Sequence, residues 1–421
     1  MRLLHLADTH IGTETYGRID PETGLHTRLL DFERCLETAV DLAFERRVDV
    51  VLFAGDAYRH ASPTPTWQQA WAKAVRRLVD GGLPLVMVAG NHDLPVSYGR
   101  ATAIDIFASL APGRVTVLRR PELVTIDTAA GPLQIIGLPW PSRSLLLADE
   151  AWAEAGELRL SERLKEACRQ RLDQLAQGLD PAAPAVLLAH VAGAGAVPSG
   201  SERNLLGSDD PVLSLGVLAD PRFDYAALGH VHRYQDLNPG AKPPVVYPGS
   251  LDRIDFGEWR EAKGVCLVEI GPGPTPAERQ VTYEHLVLPA RRFVALDFTV
   301  PAAAEPTEWL LGELAGHDFA EAVVRVRYRC RDEQEQALDH RAIRAGLKAA
   351  HLVAGVQRER EAPERRVRVE ITEHLDLMDA LERYLGSQPD LAPMREELVA
   401  AAREFDEQLR RQEAGAEEEA A

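Results

Sequence analysis

The sequence predicts an α/β fold with a largely parallel sheet, followed by a smaller α+β unit and C-terminal helices. Three observations carry this. Short apolar runs recur through the first two thirds of the chain, each run ends in a glycine or polar cluster, and helical patterns lie between several of them. Apolar runs of this length bounded by glycine and polar residues read as buried strands. Their alternation with helices is the signature of a parallel α/β sheet.

In chain order the runs are RLLHLADTH, VDVVLFAGD, PLVMVAGNHD, LQIIGLPW, AVLLAHV, DYAALGHVH and PVVYPGS. LLDFERCLETAVDLAFERR and WQQAWAKAVRRLV supply helical pattern between them, and Ala148–Gln177 reads as a charged helical insertion. GVCLVEI and VTYEHLVL, joined by GPGPTPAE, form a strand pair that closes a first domain, residues 1–288. Near Leu288–Arg292 the pattern changes. Strand RRFVALDFTV, helix TEWLLGELA, strand AVVRVRYRCR, helix HRAIRAGLKAAHLV and strand RRVRVEI make an α+β unit over residues 289–373. Two amphipathic helices split by GSQPDLAP occupy most of 374–412, and 413–421 is an acidic tail without pattern.

Bulk composition narrows the function classes. No apolar run is long enough to span a bilayer, and the opening MRLLHLADTH carries chemistry-bearing residues that a cleaved signal would remove. Cys35, Cys168, Cys266 and Cys330 are scattered, which fits a reducing cytoplasm and opposes a disulfide scaffold or zinc ribbon. The net charge of −18 sets long-range repulsion and solubility, but it does not exclude a local nucleic-acid surface. All but five of the 47 basic residues are arginine, the better residue for fork-like phosphate contact. A GC-rich genome accounts for that preference as readily.

The chemistry sits at the ends of the apolar runs. Asp8 and His10 end the first, Asp56 the second, and Asn91, His92 and Asp93 the third; His190 and the pair His230/His232 follow far downstream. Residues two apart in an extended segment face one way, so Asp8 with His10 and His230 with His232 can each address one ion. Carboxylate, imidazole and amide without thiolate suits manganese, iron or zinc and not a calcium cage. Each motif alone is weak. Together they gather groups whose burial is costly unless paired or bound to metal. A carboxylate can bridge two ions, and paired ions are the usual device for in-line attack on a phosphate. A histidine that is not a ligand then suits proton delivery to the leaving oxygen.

The pattern D-x-H, G-D, G-N-H-D, H, G-H-x-H resembles the calcineurin-like metallophosphoesterase superfamily, over roughly residues 1–285. DTHIGTETYG, GDAYRHASPTP and YPGSLDRIDFGEWREAKG extend the resemblance to the SbcD-type DNA repair nucleases. That resemblance implies a four-layer sandwich of two sheets flanked by helices, with a DNA-binding capping domain. It implies two ions, usually manganese, with magnesium, iron or zinc as substitutes. Asp8, His10, Asp56 and His232 would hold one ion, and Asp56, Asn91, His190 and His230 the other. His92 would protonate the leaving group with Asp93 orienting it. The implied activities are 3′→5′ exonuclease on duplex DNA and endonuclease on single strands and hairpins. An SbcC-type coiled-coil ATPase would be held by the terminal helices, with the nuclease as a homodimer in the assembly. Archaeal relatives have a histidine three residues after the bridging aspartate. Here that position is Arg59, with His60 next, so a DNA-guiding role for His60 stands beside a plain loop histidine.

In VVRVRYRCR, strand period places Arg325, Arg327 and Arg329 on one face. They are a DNA-phosphate surface or a solvated face paired with nearby acids. Trp67, Trp71 and Phe107, on helical patterns around the third strand, are core or dimer residues. Met378, Leu381 and Leu385, then Met394, Leu398, Ala402, Phe405 and Leu409, keep helical spacing suited to a partner groove. His5 is a strand residue, and His26, His285, His317, His340, His351 and His374 are expected on the surface. Two other readings compete: another metallophosphoesterase, such as a cyclic-nucleotide phosphodiesterase or phosphatase, and a non-catalytic scaffold. The residues beyond 290 oppose the first, and the complete ligand set opposes the second.

Overall fold

The computed structural model describes residues 1–95, 100–142, 160–200, 210–359, 381, 385, 394–403 and 405. The chain divides into two units, Met1–Gln357 and Arg358–Ala421.

The apolar runs become strands where expected. β1 (Arg2–Leu6), β2 (Val50–Phe53), β3 (Leu85–Val88) and β4 (Val115–Leu118) are parallel neighbours in that order. Helices α1 (Thr27–Glu45) and α2 (Pro65–Asp80) make the first two crossovers, and α3 (Asp105–Leu110) leads into β4. β5 (Glu122–Thr128) and β6 (Gly131–Leu138) form an antiparallel hairpin opening a second sheet. Helix α4 (Leu160–Ala176) precedes β7 (Ala185–His190), which pairs parallel with β6. β8 (Ala192–Gly193) and β9 (Val212–Leu213) form a small ladder beside α5 (Leu215–Leu218). β10 (Tyr225–Gly229), β11 (Gln235–Asp236) and β12 (Val245–Tyr247) complete the second sheet, in the order β11-β12-β10-β7-β6-β5. β13 (Gly264–Ile270) and β14 (Val281–Val287) return antiparallel to the first sheet beside β1.

Strand alternation decides the layers. Leu4, Leu6, Val51 and Phe53 face one way and pack with Phe32, Leu36 and Trp71 of α1 and α2. Leu3, Val50, Leu52 and Val86 face the other way and meet Leu133, Val186 and Ala227 of the second sheet. The outer face of the second sheet packs on Cys168 and Leu172 of α4. The order is therefore helix, sheet, sheet, helix, and Trp71 and Phe107 are core.

A three-stranded sheet follows: β15 (Phe293–Thr299), β16 (Val323–Arg329) and β17 (Leu352–Arg358), with β16 central. Helices α6 (Pro306–Ala315), α7 (Asp332–Ala337) and α8 (His340–Gly346) cover it; Leu310, Leu314 and Ile343 of the helices and Leu338 between the last two bury against Val324, Val326 and Tyr328. One expectation changes. The helix predicted through Val353 ends at Gly346, a poor helix former, and the chain runs on into LVAGVQR as the third strand. RRVRVEI lies outside the described residues. A buried ion network ties the lead-in of this sheet to α1. Arg28 lies 2.9 Å from Asp31 and 3.4 Å from Asp252, and Arg291 reaches Asp31 at 2.6 Å.

In the second unit residues 395–403 are helical; Leu385 is buried, and Met394 and Phe405 are exposed. Leu398 and Ala402 are half-buried, while Met378 and Leu409 lie outside the described residues. Among the described residues no helix is long and apolar enough to cross a membrane.

Candidate dinuclear metal centre

The parallel strands of both sheets end on one side of the molecule, where ligand sites of open α/β sheets gather. Asp8 and His10 follow β1, Asp56 follows β2, Asn91 and His92 follow β3, His190 ends β7, and His230 and His232 follow β10. The loops after β1 and β2 are zipped together by bonds from Asp8 N to the Gly55 carbonyl (2.9 Å), His10 N to Asp56 O (3.1 Å) and Ile11 N to Ala57 O (3.1 Å). Asp8, His10, Asp56 and His230 all have positive φ (52°, 43°, 61° and 104°). Such strain at non-glycine residues costs on the order of 1–3 kcal/mol each and persists only where the surrounding structure over-determines it. The motif glycines answer to crowding. A Cβ on Gly90 would run into the Asp56 carboxylate, and one on Gly55, itself at φ 93°, into the His190 ring.

Three ligand clusters overlap: Asp8, His10 and His232; Asp8, Asp56 and His190; and His10, Asp56 and His92. Asp8, His10 and Asp56 each belong to two of them. Asp56 Oδ1 accepts the His92 backbone N–H (2.9 Å), while Oδ2 lies 3.6 Å from His10 Nε2 and 3.4 Å from His190 Nε2. One oxygen is thus pinned and the other stands between histidines from different sheets. Both Asp8 oxygens take the His230 N–H at 3.1 and 3.0 Å. His10 Nε2 and His232 Nε2 face each other at 3.0 Å, and Asn91 Oδ1 lies 3.1 Å from His190 Nε2.

This donor set fits divalent ions on its own chemistry. His230 Nε2 is buried with no hydrogen-bond partner, a cost that bound metal removes. His190 Nδ1 donates to the Ala54 carbonyl at 2.7 Å and His232 Nδ1 to Glu258 Oε1 at 2.9 Å, which leaves each Nε2 directed inward. Burial pushes Asp8 up to about 7 against the opposing pull of His190 and His232. Burial also opposes charge on His190, yet Asp56 beside it raises that imidazole to about 9, while the neighbouring histidines hold Asp56 well below the carboxylate range. His230, buried among other histidines, is depressed to about 3.

The structure brings all seven predicted ligands and His92 together. Asp93 does something other than orient the His92 ring. Its oxygens accept the backbone N–H groups of Asp56 (2.9 Å), Gly90 (3.0 Å) and Ala57 (3.0 Å), bracing the bridging loop. The His92 ring is held instead through Nδ1, 2.8 Å from the Arg59 carbonyl. His60 is exposed against Trp67, ring centroids 5.1 Å apart. Arg325 and Arg327 are half-buried and Arg329 is exposed; Arg325 stacks on Phe256 at 4.3 Å and Arg327 pairs with Asp297 at 2.8 Å, so a neighbouring acid already engages part of this face. His351 is buried and His26 and His285 are half-buried, against expectation. His351 and His285 hydrogen-bond Thr27 Oγ1 and the Pro248 carbonyl, and His26 caps α1. His374 lies outside the described residues.

Sequence reasoning missed Glu258, Lys263 and Trp140. Glu258 and Lys263 are buried, Oε2 to Nζ 2.8 Å, directly behind His232. The Trp140 ring lies 4.7 Å from His230 and 6.0 Å from His190. FGEWREAKG and GLPW were visible, but nothing in their spacing relates them to histidines elsewhere in the chain.

Two parallel-strand fans converging on one carboxylate-and-imidazole cluster form a candidate dinuclear metal centre of the kind that phosphoester hydrolases use. The match to the family described as calcineurin-like phosphoesterase covers residues 1–234, and the chain belongs to that family. It is 26% identical over 414 residues to the SbcD component of the SbcCD nuclease of Bacillus subtilis, covering 95% of this chain and 96% of that one. The corresponding SbcD component from Rhodobacter capsulatus is 27% identical, over 66% of this chain and 68% of its own. The DNA double-strand break repair protein Mre11 of Aeropyrum pernix is 28% identical, over 66% of this chain and 60% of its own.

Proposed function

We propose that this protein is the nuclease component of an SbcC–SbcD-type DNA break repair complex, acting as a manganese-dependent 3′→5′ double-strand exonuclease and single-strand and hairpin endonuclease. The observation that carries this reading is the joining of a phosphodiesterase-type dinuclear site to a further α+β unit, in a chain that matches a nuclease component along 95% of its length. Small-molecule phosphodiesterases and phosphatases have no need of the additional unit.

Asp8, His10, Asp56 and His232 would hold one ion and Asp56, Asn91, His190 and His230 the other. Bound there, the pair supplies a nucleophile at neutral pH and neutralises charge on the phosphoryl oxygens. The chain does the rest. Asp93 fixes the loop that carries Asp56. His92, its Nδ1 tied to the Arg59 carbonyl, directs Nε2 away from that anchor and would deliver a proton to the leaving oxygen. The face carrying Arg325, Arg327 and Arg329 would offer sequence-independent phosphate contacts that position duplex without reading it. Exposed Met394 and Phe405 in the terminal helical stretch support a groove-binding role toward a coiled-coil ATPase, and exposed Ile106 and Leu110 on α3 support a homodimer.

Purified protein with manganese should degrade linear duplex DNA, and His92→Ala should lose cleavage while retaining metal. Hydrolysis of small phosphoesters without any DNA cleavage would refute the nuclease assignment. Deleting the residues after Asp376 should abolish co-purification with an SbcC-like partner and leave metal content unchanged.

A further inference from the structure

Two indoles of α2 lie one turn apart and are used differently. Trp71 is buried, and its N–H donates to Thr9 Oγ1 (3.0 Å) and to the Ala57 carbonyl (3.1 Å). Trp67, in the first turn of the helix, is only half-buried, and its indole N–H has no partner among the described residues. Part of its six-membered ring rests on Gly12, two residues after His10; a Cβ there would stand 2.7 Å from ring atoms. The exposed ring of His60 lies 5.1 Å from the indole, tilted by 58°. Arg59, next in the chain to His60, is fixed at both ends of its backbone. Its N–H donates to the Ile11 carbonyl (3.0 Å), and its carbonyl holds His92 Nδ1 (2.8 Å). The Arg59 side chain is exposed, and no acid pairs with it among the described residues. A half-open indole, an imidazole and an unpaired guanidinium thus stand beside the histidine assigned to the leaving oxygen. Aromatic faces next to cations are how proteins hold unpaired nucleotides, base on ring and phosphate on charge.

We propose that Trp67 and His60 form a stacking platform for a nucleobase of the strand being cut, with Arg59 on the phosphate of that nucleotide. The inference rests on the nuclease reading and narrows its substrate. A base inside a duplex has a neighbour on each face and must leave the stack before a ring can take it. Only a terminal or unpaired base reaches the platform at little cost, so it selects frayed ends, single strands and hairpin loops over intact internal duplex. Every base has a π face, so the selection is tolerant of sequence, and one such stack is worth about 5–150-fold in affinity.

The test uses full-length protein in chelator, so that nothing is cut. The probe is a short single-stranded oligonucleotide carrying 2-aminopurine, whose fluorescence falls when it stacks on an aromatic ring. Wild type should quench it on binding, and should add no quench to 2-aminopurine placed inside a blunt duplex. Trp67→Leu should lose the quench and bind the single strand about 5–150-fold more weakly. Trp67→Phe, which keeps a ring, should retain both in part. Arg59→Ala should lower the slope of log affinity against log salt by about 0.7. Unchanged quench and affinity in Trp67→Leu, an equal quench in the duplex, or an unchanged slope in Arg59→Ala would each overturn the proposal. Circular dichroism shows whether Trp67→Leu folds; where it does not, Trp67→Phe and Arg59→Ala carry the test. Manganese content after reloading should be kept, and its loss together with the quench would make Trp67 a prop for the loop of Asp8 and His10 and overturn the proposal. A chain that quenches through Trp67 but never cuts DNA would refute the nuclease reading alone. One that cuts DNA while Trp67→Leu quenches and binds as wild type would refute this one alone.

Discussion

Metal binding at His190 should be a competition with a proton, and its strength follows from the geometry. His190 Nδ1 is committed to the Ala54 carbonyl at 2.7 Å, so Nε2 is the nitrogen left for metal. That nitrogen lies 3.4 Å from Asp56 Oδ2, and despite the opposing effect of burial the pairing raises the imidazole to about 9. At pH 7.5 an incoming ion must expel this proton. The gap of about 1.5 pH units corresponds to about 2 kcal/mol, or roughly 30-fold in affinity, at 1.36 kcal/mol per unit. Manganese affinity should therefore rise with a slope near one in log K per pH unit from pH 7.5 and flatten near pH 9. The sign reverses for the metal-free fold. Its His190 is raised above the ordinary value, so it adds stability that is complete below about pH 6.5 and is lost as pH climbs through 9. Calorimetry in buffers of different ionisation enthalpy counts the protons released, with about one expected from His190 at pH 7.5. Affinity flat across pH 7.5–9, or release of no protons, would refute the reasoning.

Three further outcomes follow from packing. Gly90→Ala should abolish binding of both ions with secondary structure kept, because the new methyl runs into the Asp56 carboxylate and lies 2.6 Å from its backbone nitrogen; metal content and circular dichroism check this. Arg28→Ala strands Asp252 beside a buried cavity, and breaking such a pair costs about 3–5 kcal/mol, to be read as a lowered denaturant midpoint. Trp140→Ala removes the indole from His230 and His190 and should loosen the half of the site containing Asn91, measured as weaker occupancy of the second ion by titration.

The framework was legible in the sequence because strand burial is local. An apolar run such as VVLF or AVLLAH declares itself, and the polar residue after it must lie at the strand's end. From that alone, Asp8, His10, Asp56, Asn91, His92, His190, His230 and His232 fell at strand ends; that the ends of two sheets converge was visible only in the fold. The small sheet was harder. LVAGVQR continues a helical pattern in the sequence, and only its place beside β16 shows it to be the third strand of the described sheet. His351 reads as a surface residue until its hydrogen bond to Thr27, 324 positions away, is seen.

The sequence by itself determined which residue types meet at the centre, since motif order and strand period are one-dimensional properties of the chain. Tertiary structure alone decided what each group does there. Asp93 braces the loop of Asp56 instead of turning His92, because three backbone N–H groups converge on it. Glu258 stands behind His232 because the chain folds back 26 residues later, a juxtaposition that no spacing rule encodes. Contacts of this kind between distant segments exist only once the two sheets have closed on each other.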